Sequence, residues 1–173
     1  MRLRDVTEDD VDAYVRMRCD PVMMRDLGGP LPEEGMRDKV RRDAETAAAG
    51  TGWIKMIVPD PGAPEVVAGH VCVWAHEEGG EGGEQVSEIG WMVLPEFQGR
   101  GLGRLAARTI LEQARDEGRW GAVHAFPATT NGPSNGICRS LGFRLLGERD
   151  VDFADRVIRS NHWVIDPARD LAP

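Results

Sequence analysis

The stretch that decides the fold reads Pro95-Glu96-Phe97-Gln98-Gly99-Arg100-Gly101-Leu102-Gly103-Arg104. It separates a strand-like run, Val86 to Leu94, from a segment whose apolar residues recur at helical spacing from Gly101 to about Glu117. The first turn of a helix leaves about four backbone N–H groups unpaired at the positive end of its dipole. Glycines at alternate positions let a ligand approach that backbone closely. The stretch therefore predicts a main-chain cradle for a pyrophosphate.

The loop does not match the two best-known nucleotide-binding motifs. It is not a P-loop, because no Gly-Lys-Ser or Gly-Lys-Thr follows, and it lacks the third glycine of a dinucleotide-binding fingerprint. A glycine-rich loop that only tightens the turn between strand and helix is the alternative. The loop alone does not decide between the two.

Outward from this unit, helices and strands follow in an order typical of one mixed sheet. Two helices come first, from Thr7 to about Asp20 and from Glu33 to Ala49, and three strands then form an antiparallel meander. After the helix at 101–117 we expect a strand at 122–126, a helix at 134–141 and closing strands at 143–147, 151–158 and 162–165. This order predicts an α+β fold with a mixed, mostly antiparallel sheet, in which residues 1–173 form a single domain. Glu77 to Glu84 reads as an exposed, mobile hairpin connection.

Composition narrows the classes of partner. The 173 residues carry 21 Lys and Arg against 29 Asp and Glu, a net charge of −8, which argues against a nucleic-acid surface and suits a cationic substrate. No apolar run approaches the ~20 residues of a membrane helix, and no apolar stretch follows the start, so we expect a cytoplasmic protein without membrane contact. Three widely spaced cysteines without a C-x-x-C pair predict free thiols and no metal site.

Two motifs together suggest a family. Gln98-x-x-Gly101-x-Gly103 after a strand resembles the acyl-CoA-binding motif of the GNAT N-acetyltransferase superfamily. Asn131-Gly132-Pro133-Ser134, followed seven residues later by Leu141-Gly142-Phe143, is similar to that family's second cofactor element. The segments 20–29 and 159–166 resemble the RimJ/RimL-type branch, so the resemblance covers nearly the whole chain.

The resemblance implies where acetyl-CoA binds. The strand before the loop is expected to carry a bulge and to splay from the strand at 122–126, with the pantetheine arm in the gap. The implied cofactor-binding residues are Met92, Val93 and Leu94 by their backbone, Gln98, Gly99, Arg100, Gly101, Leu102, Gly103 and Arg104 around the pyrophosphate, and Asn131 and Ser134 beside the arm. Solvent exposure is the alternative for both arginines, and helix capping is the alternative for Ser134.

The implied reaction is acetyl transfer to a primary amine. Such an amine is mostly protonated at neutral pH, so a base is wanted. Glu88 is the first candidate, His124 the second and His76 the third; a solvent-facing carboxylate and a structural histidine are the alternatives. The backbone N–H near Val93 is the expected oxyanion donor. Cys138 stands where many relatives have a tyrosine that protonates the leaving thiolate, and an inert packed thiol is its alternative.

Three hypotheses follow. The first is an N-acetyltransferase that moves the acetyl group from acetyl-CoA to an amine on a small molecule or a protein N-terminus, by direct attack within a ternary complex. The second is a non-catalytic module that binds acyl-CoA as a sensor, and the third is a site for another nucleotide. Edge strands near the C-terminus permit a homodimer.

Overall fold

One seven-stranded sheet organises the chain, of which the computed structural model describes residues 1–78 and 84–171. The strands are β1 Arg2–Asp5, β2 Gly52–Val58, β3 Gly69–Glu78, β4 Glu84–Val93, β5 Val123–Ala125, β6 Arg144–Phe153 and β7 Arg156–Ile165. Their order across the sheet is β1-β2-β3-β4-β5-β7-β6, and only the β4–β5 pair is parallel within the described ranges. The predicted α+β fold with a mixed, mostly antiparallel sheet is confirmed.

Helices cover both faces of this sheet. They are α1 Val11–Arg18, α2 Met36–Ala48, α3 Leu102–Asp116 and α4 Gly132–Ser140. We call the face under α3 and α4 the first face; there Ile110 and Leu111 of α3 pack with Cys138 of α4. The second face lies under α1 and α2, where Tyr14 and Val40 are fully buried. No helix in the described parts of the chain is long and apolar enough to cross a membrane.

Side-chain alternation along β4 assigns its residues to the two faces. Ile89 belongs to the core of the first face, where Trp91 and Val93 pack against it. Met92 and Leu94 belong to the second face. Residues of even number on β4, including Glu88, therefore point to the side of α1 and α2.

β4 and β5 separate soon after they meet. They pair only through Ser87 with Val123 and Glu88 with His124, after which β4 runs on to Val93 without β5 beside it. The predicted splay is present. The predicted bulge in β4 is wrong, because its register with β3 is unbroken from Gly69↔Val93 to Glu78↔Glu84. The parting of the strands follows instead from the end of the short β5 at Ala125.

Several segments differ from the secondary structure that the sequence predicts. The edge strand β1 was missed, because four residues with two arginines and an aspartate carry little strand signal. The expected single strand at 151–158 is divided by a turn: 151–153 end β6, 156–158 begin β7, and Ala154 (φ 48°) and Asp155 (φ 60°) join them. Such φ values suit a two-residue hairpin turn, yet this pair is not the usual Asn-Gly. Of the predicted connection from Glu77 to Glu84, residues 79–83 lie outside the described residues.

Candidate active site

The loop between β4 and α3 presents a run of backbone amides. A 3-10 turn, Pro95–Phe97, follows β4, and α3 then begins at Leu102 with the N–H of Leu105 bonded to the carbonyl of Gly101. Among the described residues, the backbone N–H groups from Gly99 to Arg104 have no acceptor. They stand at the positive end of a 15-residue helix, where N–H groups and the helix dipole favour an anion; that a pyrophosphate binds there stays a prediction.

The three glycines of the loop serve two different purposes. Gly99 (φ 73°) and Gly101 (φ 74°) adopt the left-handed conformation, and a Cβ at either position would meet nothing within 4 Å. These two therefore shape the turn and leave space above it. Gly103 is buried, and a Cβ there would stand 3.2 Å from Ile137 Cδ1 and 3.3 Å from Val93 Cγ2. Its lack of a side chain lets α3 pack closely on β4 and α4.

The two arginines of the loop lie at its rim. The Arg100 guanidinium stands 5.5 Å from the ring centroid of Phe97, where the ring face attracts it. The Arg104 Nε donates to Ser140 Oγ at 3.2 Å, which links α3 to the end of α4. Arg100 therefore stays beside the amide run, whereas Arg104 already has a protein partner.

Backbone groups of β4 are divided between β3 and the gap. The N–H of Leu94 donates to Ala68 at 2.8 Å and its carbonyl accepts from Phe97 at 2.9 Å, so the prediction that Leu94 pairs with the cofactor is wrong. Alternation in an antiparallel pair turns the backbone groups of Met92 toward β3 as well. Those of Val93 and Trp91 turn toward the gap. The register with β3 thus turns the backbone groups of Met92 and Leu94 away from the gap, and it turns those of Trp91, which the sequence analysis did not name, toward it.

Gln98 fixes the end of β4 at this point. Its Nε2 donates to the carbonyl of Val93 at 2.8 Å. The glutamine of the motif thus ties the loop back onto the last residue of the strand. This hydrogen bond fixes the position of the amide run relative to the gap-facing side of Val93.

Asn131 begins α4 as its N-cap. Its Oδ1 accepts from the N–H of Ser134 at 3.0 Å, so one of its polar atoms serves the helix. The resemblance implies that the Asn131 side chain contacts the pantetheine arm. Its Nδ2 is the polar atom that remains for this contact. Ser134 takes the role of a capped residue, not of the cap.

Asn135 is a functional candidate that the sequence analysis missed. Its buried side chain donates to Ala128 (2.9 Å) and Asn131 (2.8 Å), and its Oδ1 accepts from Asn161 Nδ2 (2.7 Å) and Trp163 Nε1 (2.9 Å). It therefore binds the start of α4 to β7 on both sides of His162. Its spacing of three residues from Cys138 on the buried face of α4 was the available signal.

Four titratable side chains lie in a row across the second face where β4 and β5 meet. We call His76 of β3, Glu88 of β4, His124 of β5 and His162 of β7 the polar row. Glu88 and His124 are register partners. Val123 and Ala125 face the first core, as do Trp163 and Ile165, so His124 and His162 point to the second face. The structure thus brings together three candidates for the base and adds His162.

Hydrogen bonds join the polar row in two pairs. His76 Nε2 lies 3.1 Å from Glu88 Oε2, with 37% of the His76 side chain and 21% of the Glu88 side chain exposed. His124 Nδ1 lies 2.7 Å from His162 Nε2. The ring of Phe126 stacks against both of these imidazoles, with its centroid 4.7 Å from that of His162.

Cys138 does not join this group. It is fully buried in the core of the first face, on the other side of the sheet from Glu88 and His124. Burial raises the pKa of its thiol to about 12. The expectation that Cys138 protonates a leaving thiolate is therefore not supported, and the alternative of a packed thiol describes it.

Tyr14 and His70 are also set apart from the row. Tyr14 Oη donates to Asp43 at 2.8 Å, and burial with the nearby Asp43 charge raises the Tyr14 pKa far above its usual value. His70 stacks on Tyr14 with ring centroids 6.0 Å apart, and complete burial lowers its pKa well below that of a free histidine. Both groups belong to the core of the second face.

Residues 1–144 match the protein family described as acetyltransferase (GNAT) domain. The match extends from β1 to the first residue of β6. It includes the amide run, the gap between β4 and β5, and three of the four residues of the polar row.

Solved structures of acetyltransferases have a similar fold. RimL, a ribosomal L7/L12 alpha-N-protein acetyltransferase in complex with coenzyme A, aligns with TM-score 0.75 and 17% identity, covering 97% of this chain and 94% of that chain. A chimera of the spermidine N-acetyltransferase SpeG from Vibrio cholerae and hSSAT gives 0.74 and 15%, covering 97% and 96%. YncA from Salmonella typhimurium, a putative acetyltransferase with acetyl-CoA, gives 0.72 and 18%, covering 100% and 97%.

Proposed function

Because the chain belongs to the acetyltransferase (GNAT) domain family, we propose that it is an N-acetyltransferase that uses acetyl-CoA and acts on a primary amine. The observation that carries this proposal is the run of six unpaired amides from Gly99 to Arg104 at the open end of the gap between β4 and β5. A diphosphate needs several converging N–H donors, and a linear arm needs a groove that leads from them to the reacting groups. The described residues offer both.

The cradle fits the acyl donor in shape and charge. Open space above Gly99 and Gly101 admits phosphate oxygens to the amides, and Arg100 at the rim adds a positive charge. From Val93 to Glu88 the strand spans five residues, roughly 17 Å. Along this path the N–H of Val93 and the backbone groups of Trp91 turn to the gap and can pair with an extended arm as a neighbouring strand does, while the Val93 carbonyl is held by Gln98.

The polar row stands at the closed end of the gap, where the arm would end. Bound acetyl-CoA supplies an activated acetyl thioester there. An incoming ammonium group must lose a proton before its nitrogen can attack, and Glu88 is the carboxylate at this point. The His76 ring donates to Glu88 and is itself more than one-third exposed, so the proton has a path from Glu88 to solvent. Because the acceptor supplies the nucleophile, the proposed transfer is direct.

The acceptor is an amine of cationic character. The net charge of −8 attracts such a molecule over the whole surface, and Glu88 attracts it at the end of its path. RimL, by its name, acts on a protein α-amine, and SpeG acts on spermidine. Both kinds of acceptor fit the chemistry of the row, so the assay covers peptide N-termini and polyamines.

The test mixes the protein with acetyl-CoA and a panel of peptide α-amines, polyamines and amino acids, and measures thiol release together with the mass of the product. We expect amine-dependent thiol release with at least one acceptor. Calorimetry with acetyl-CoA, ATP and NAD is the parallel measurement, and acetyl-CoA alone is expected to bind. Binding without turnover on any amine would favour an acyl-CoA sensor, and binding of ATP or NAD alone would overturn the proposal.

A further inference from the structure

The proposed reaction also needs a group that transfers a proton to the leaving sulfur. When an ammonium group is acetylated by a thioester, two N–H bonds break, the C–N bond forms and the C–S bond breaks. One proton is released to solvent, and the other ends on sulfur. Glu88 with His76 can take the first proton before attack. Among the described side chains, neither Cys138 nor Tyr14 is placed to carry the second, since one is sealed in the core and the other is bonded to Asp43.

The imidazole pair lies beside Glu88 at the closed end of the gap. His124 is the register partner of Glu88 on the neighbouring strand, and His162 holds His124 by a hydrogen bond of 2.7 Å between Nδ1 and Nε2. Phe126 packs on both rings. Asn135 secures β7 at Asn161 and Trp163, the two neighbours of His162. The position of His162 is thus fixed from both sides.

We infer that His124 carries the second proton from the acceptor nitrogen to the departing sulfur, and that His162 is the positioning residue that keeps His124 in the form able to do so. This inference rests on the proposed function. His124 is the catalytic residue in it. His162 acts only through His124.

The short hydrogen bond dictates the required tautomer. Of two neutral imidazoles, one must donate and the other accept. When His124 donates from Nδ1 to Nε2 of His162, the Nε2 of His124 carries a lone pair and can accept a proton. The imidazolium then formed keeps the same bond, which stabilises its charge, and returns to neutral when it delivers that proton to sulfur.

Charged or titratable neighbours on three other strands surround this pair. Glu88 lies on β4 and favours an imidazolium at His124, and His76 lies beyond it on β3. On β6 the Arg149 guanidinium stands 5.4 Å from the ring centroid of Phe126 and opposes a second positive charge on the pair. The proposed transfer needs only one added proton on the pair.

The first test reads the tautomers by two-bond ¹H–¹⁵N NMR of protein labelled with ¹⁵N-histidine. The chain has four histidines, so single variants assign every ring. We expect His124 to carry its proton on Nδ1 in the wild type and to lose this preference in His162→Phe, which keeps an aromatic ring against Phe126 but has no acceptor. A proton on Nε2 of His124 in the wild type, or unchanged His124 resonances in His162→Phe, would overturn the inference.

The second test follows kcat against pH for His162→Phe, His162→Gln and the control Val157→Thr, an exposed residue of β7. We expect His162→Phe to lower kcat about 10-fold, to move the acidic limb of the profile to lower pH and to leave the Kd of acetyl-CoA unchanged. His162→Gln, whose amide oxygen can accept from His124, is expected to stay within about threefold of wild type, as is the control.

Failure of the proposed function and failure of the role of His162 give different results. If the wild type releases no thiol with any amine, the proposed function falls, and this inference falls with it. If the wild type turns over and His162→Phe has the same kcat and pH profile, only the inference falls. Equal losses in His162→Phe and His162→Gln, with an unshifted profile, would reduce His162 to a packing residue and overturn its assigned role.

Discussion

The amide run and the polar row are built from different kinds of groups. The run uses main-chain N–H groups of six consecutive residues, Gly99 to Arg104, and two glycines shape it. The row uses side chains from four strands, which only the strand order brings together. The residues of the amide run are consecutive in the sequence, whereas those of the polar row come together only in the folded sheet.

The difference separates binding from chemistry. Substitutions in the run are expected to change affinity for acetyl-CoA, because the proposed binding mode places these groups against the donor far from its acetyl group. Substitutions in the row are expected to change kcat, because the proposed mechanism places the reacting atoms beside it, at the closed end of the gap. Kd for acetyl-CoA and kcat should therefore respond to different substitutions.

The largest effect is expected at Glu88. Removing a general base typically costs about 100- to 10,000-fold in rate, so Glu88→Gln should lower kcat by at least about 100-fold. The Kd of acetyl-CoA should stay unchanged, because Glu88 does not touch the amide run. Steady-state kinetics and calorimetry measure the two quantities.

The matched control for Glu88 is Glu148→Gln. Glu148 is an exposed carboxylate on β6 that pairs with Arg159, away from the row. It should leave kcat unchanged. A Glu88→Gln variant with wild-type turnover would show that deprotonation proceeds through solvent, and the assignment of the base would then be wrong.

Asn135 fastens the start of α4 to β7 beside the polar row, and its replacement is expected to lower the stability of the fold there. In Asn135→Leu the buried Trp163 Nε1 and the carbonyl of Ala128 lose their partners, and each such orphaned group costs about 1–3 kcal/mol. We expect a loss of about 2–3 kcal/mol in the free energy of unfolding. Urea denaturation measures it, and a loss below about 0.5 kcal/mol would contradict the role assigned to Asn135.

How much of the molecule can be predicted from the sequence follows the same division. The strand–loop–helix unit at 86–117 was predicted correctly because the change from strand to helical period and the glycines lie in one stretch. Within that unit the backbone direction of Met92 and Leu94 was misjudged, since it depends on the register with β3. Local pattern fixes the elements, and pairing fixes which way their backbone groups point.

The polar row shows what a single sequence leaves out. Glu88 and His124 were candidates by position on their strands, but His162 had no motif. It lies 38 residues after His124 and reaches it only because β7 pairs antiparallel with β5. Cys138 was considered because family spacing placed it at an acid position; its burial on the first face depends on how α4 packs.

The pH dependence of stability tests whether His70 is a buried structural histidine that lies outside the polar row. Its folded-state pKa lies well below 6.5 and its unfolded pKa is about 6.5, so below pH ~6.5 the unfolded state binds a proton that the folded state does not. The free energy of unfolding should therefore fall as pH drops, by up to about 1.4 kcal/mol per pH unit, or roughly 2 kcal/mol at pH 5.

The variant His70→Phe should lose this component of the pH dependence, because it keeps a ring against Tyr14 without a proton site. Urea denaturation at pH 7.5 and pH 5 gives the comparison. His76→Phe is the control, since His76 is partly exposed, and should keep the steeper wild-type dependence. Equal slopes in wild type and His70→Phe would show that His70 is not held neutral in the folded state.

The smallest effect is expected at Gly101. Its control separates an effect on the amide run from the general strain of a side chain on a left-handed glycine. Gly101→Ala puts a methyl group on a left-handed residue, at a cost of about 1–2 kcal/mol. Gly118→Ala does the same at φ 62°, also with nothing within 4 Å of the added carbon, beyond the far end of α3. Both variants should lose about 1 kcal/mol of unfolding free energy.

Only Gly101→Ala should bind acetyl-CoA more weakly, by about 10-fold, because its methyl group occupies the space above the amides and the strain turns them away from the anion. Calorimetry measures both Kd values, and kcat at saturating acetyl-CoA should stay within about twofold of wild type. Equal Kd values in the two variants would mean that the anion does not rest on this turn. A loss of kcat in Gly101→Ala without a change in Kd would instead mean that binding and chemistry are not divided between the amide run and the polar row.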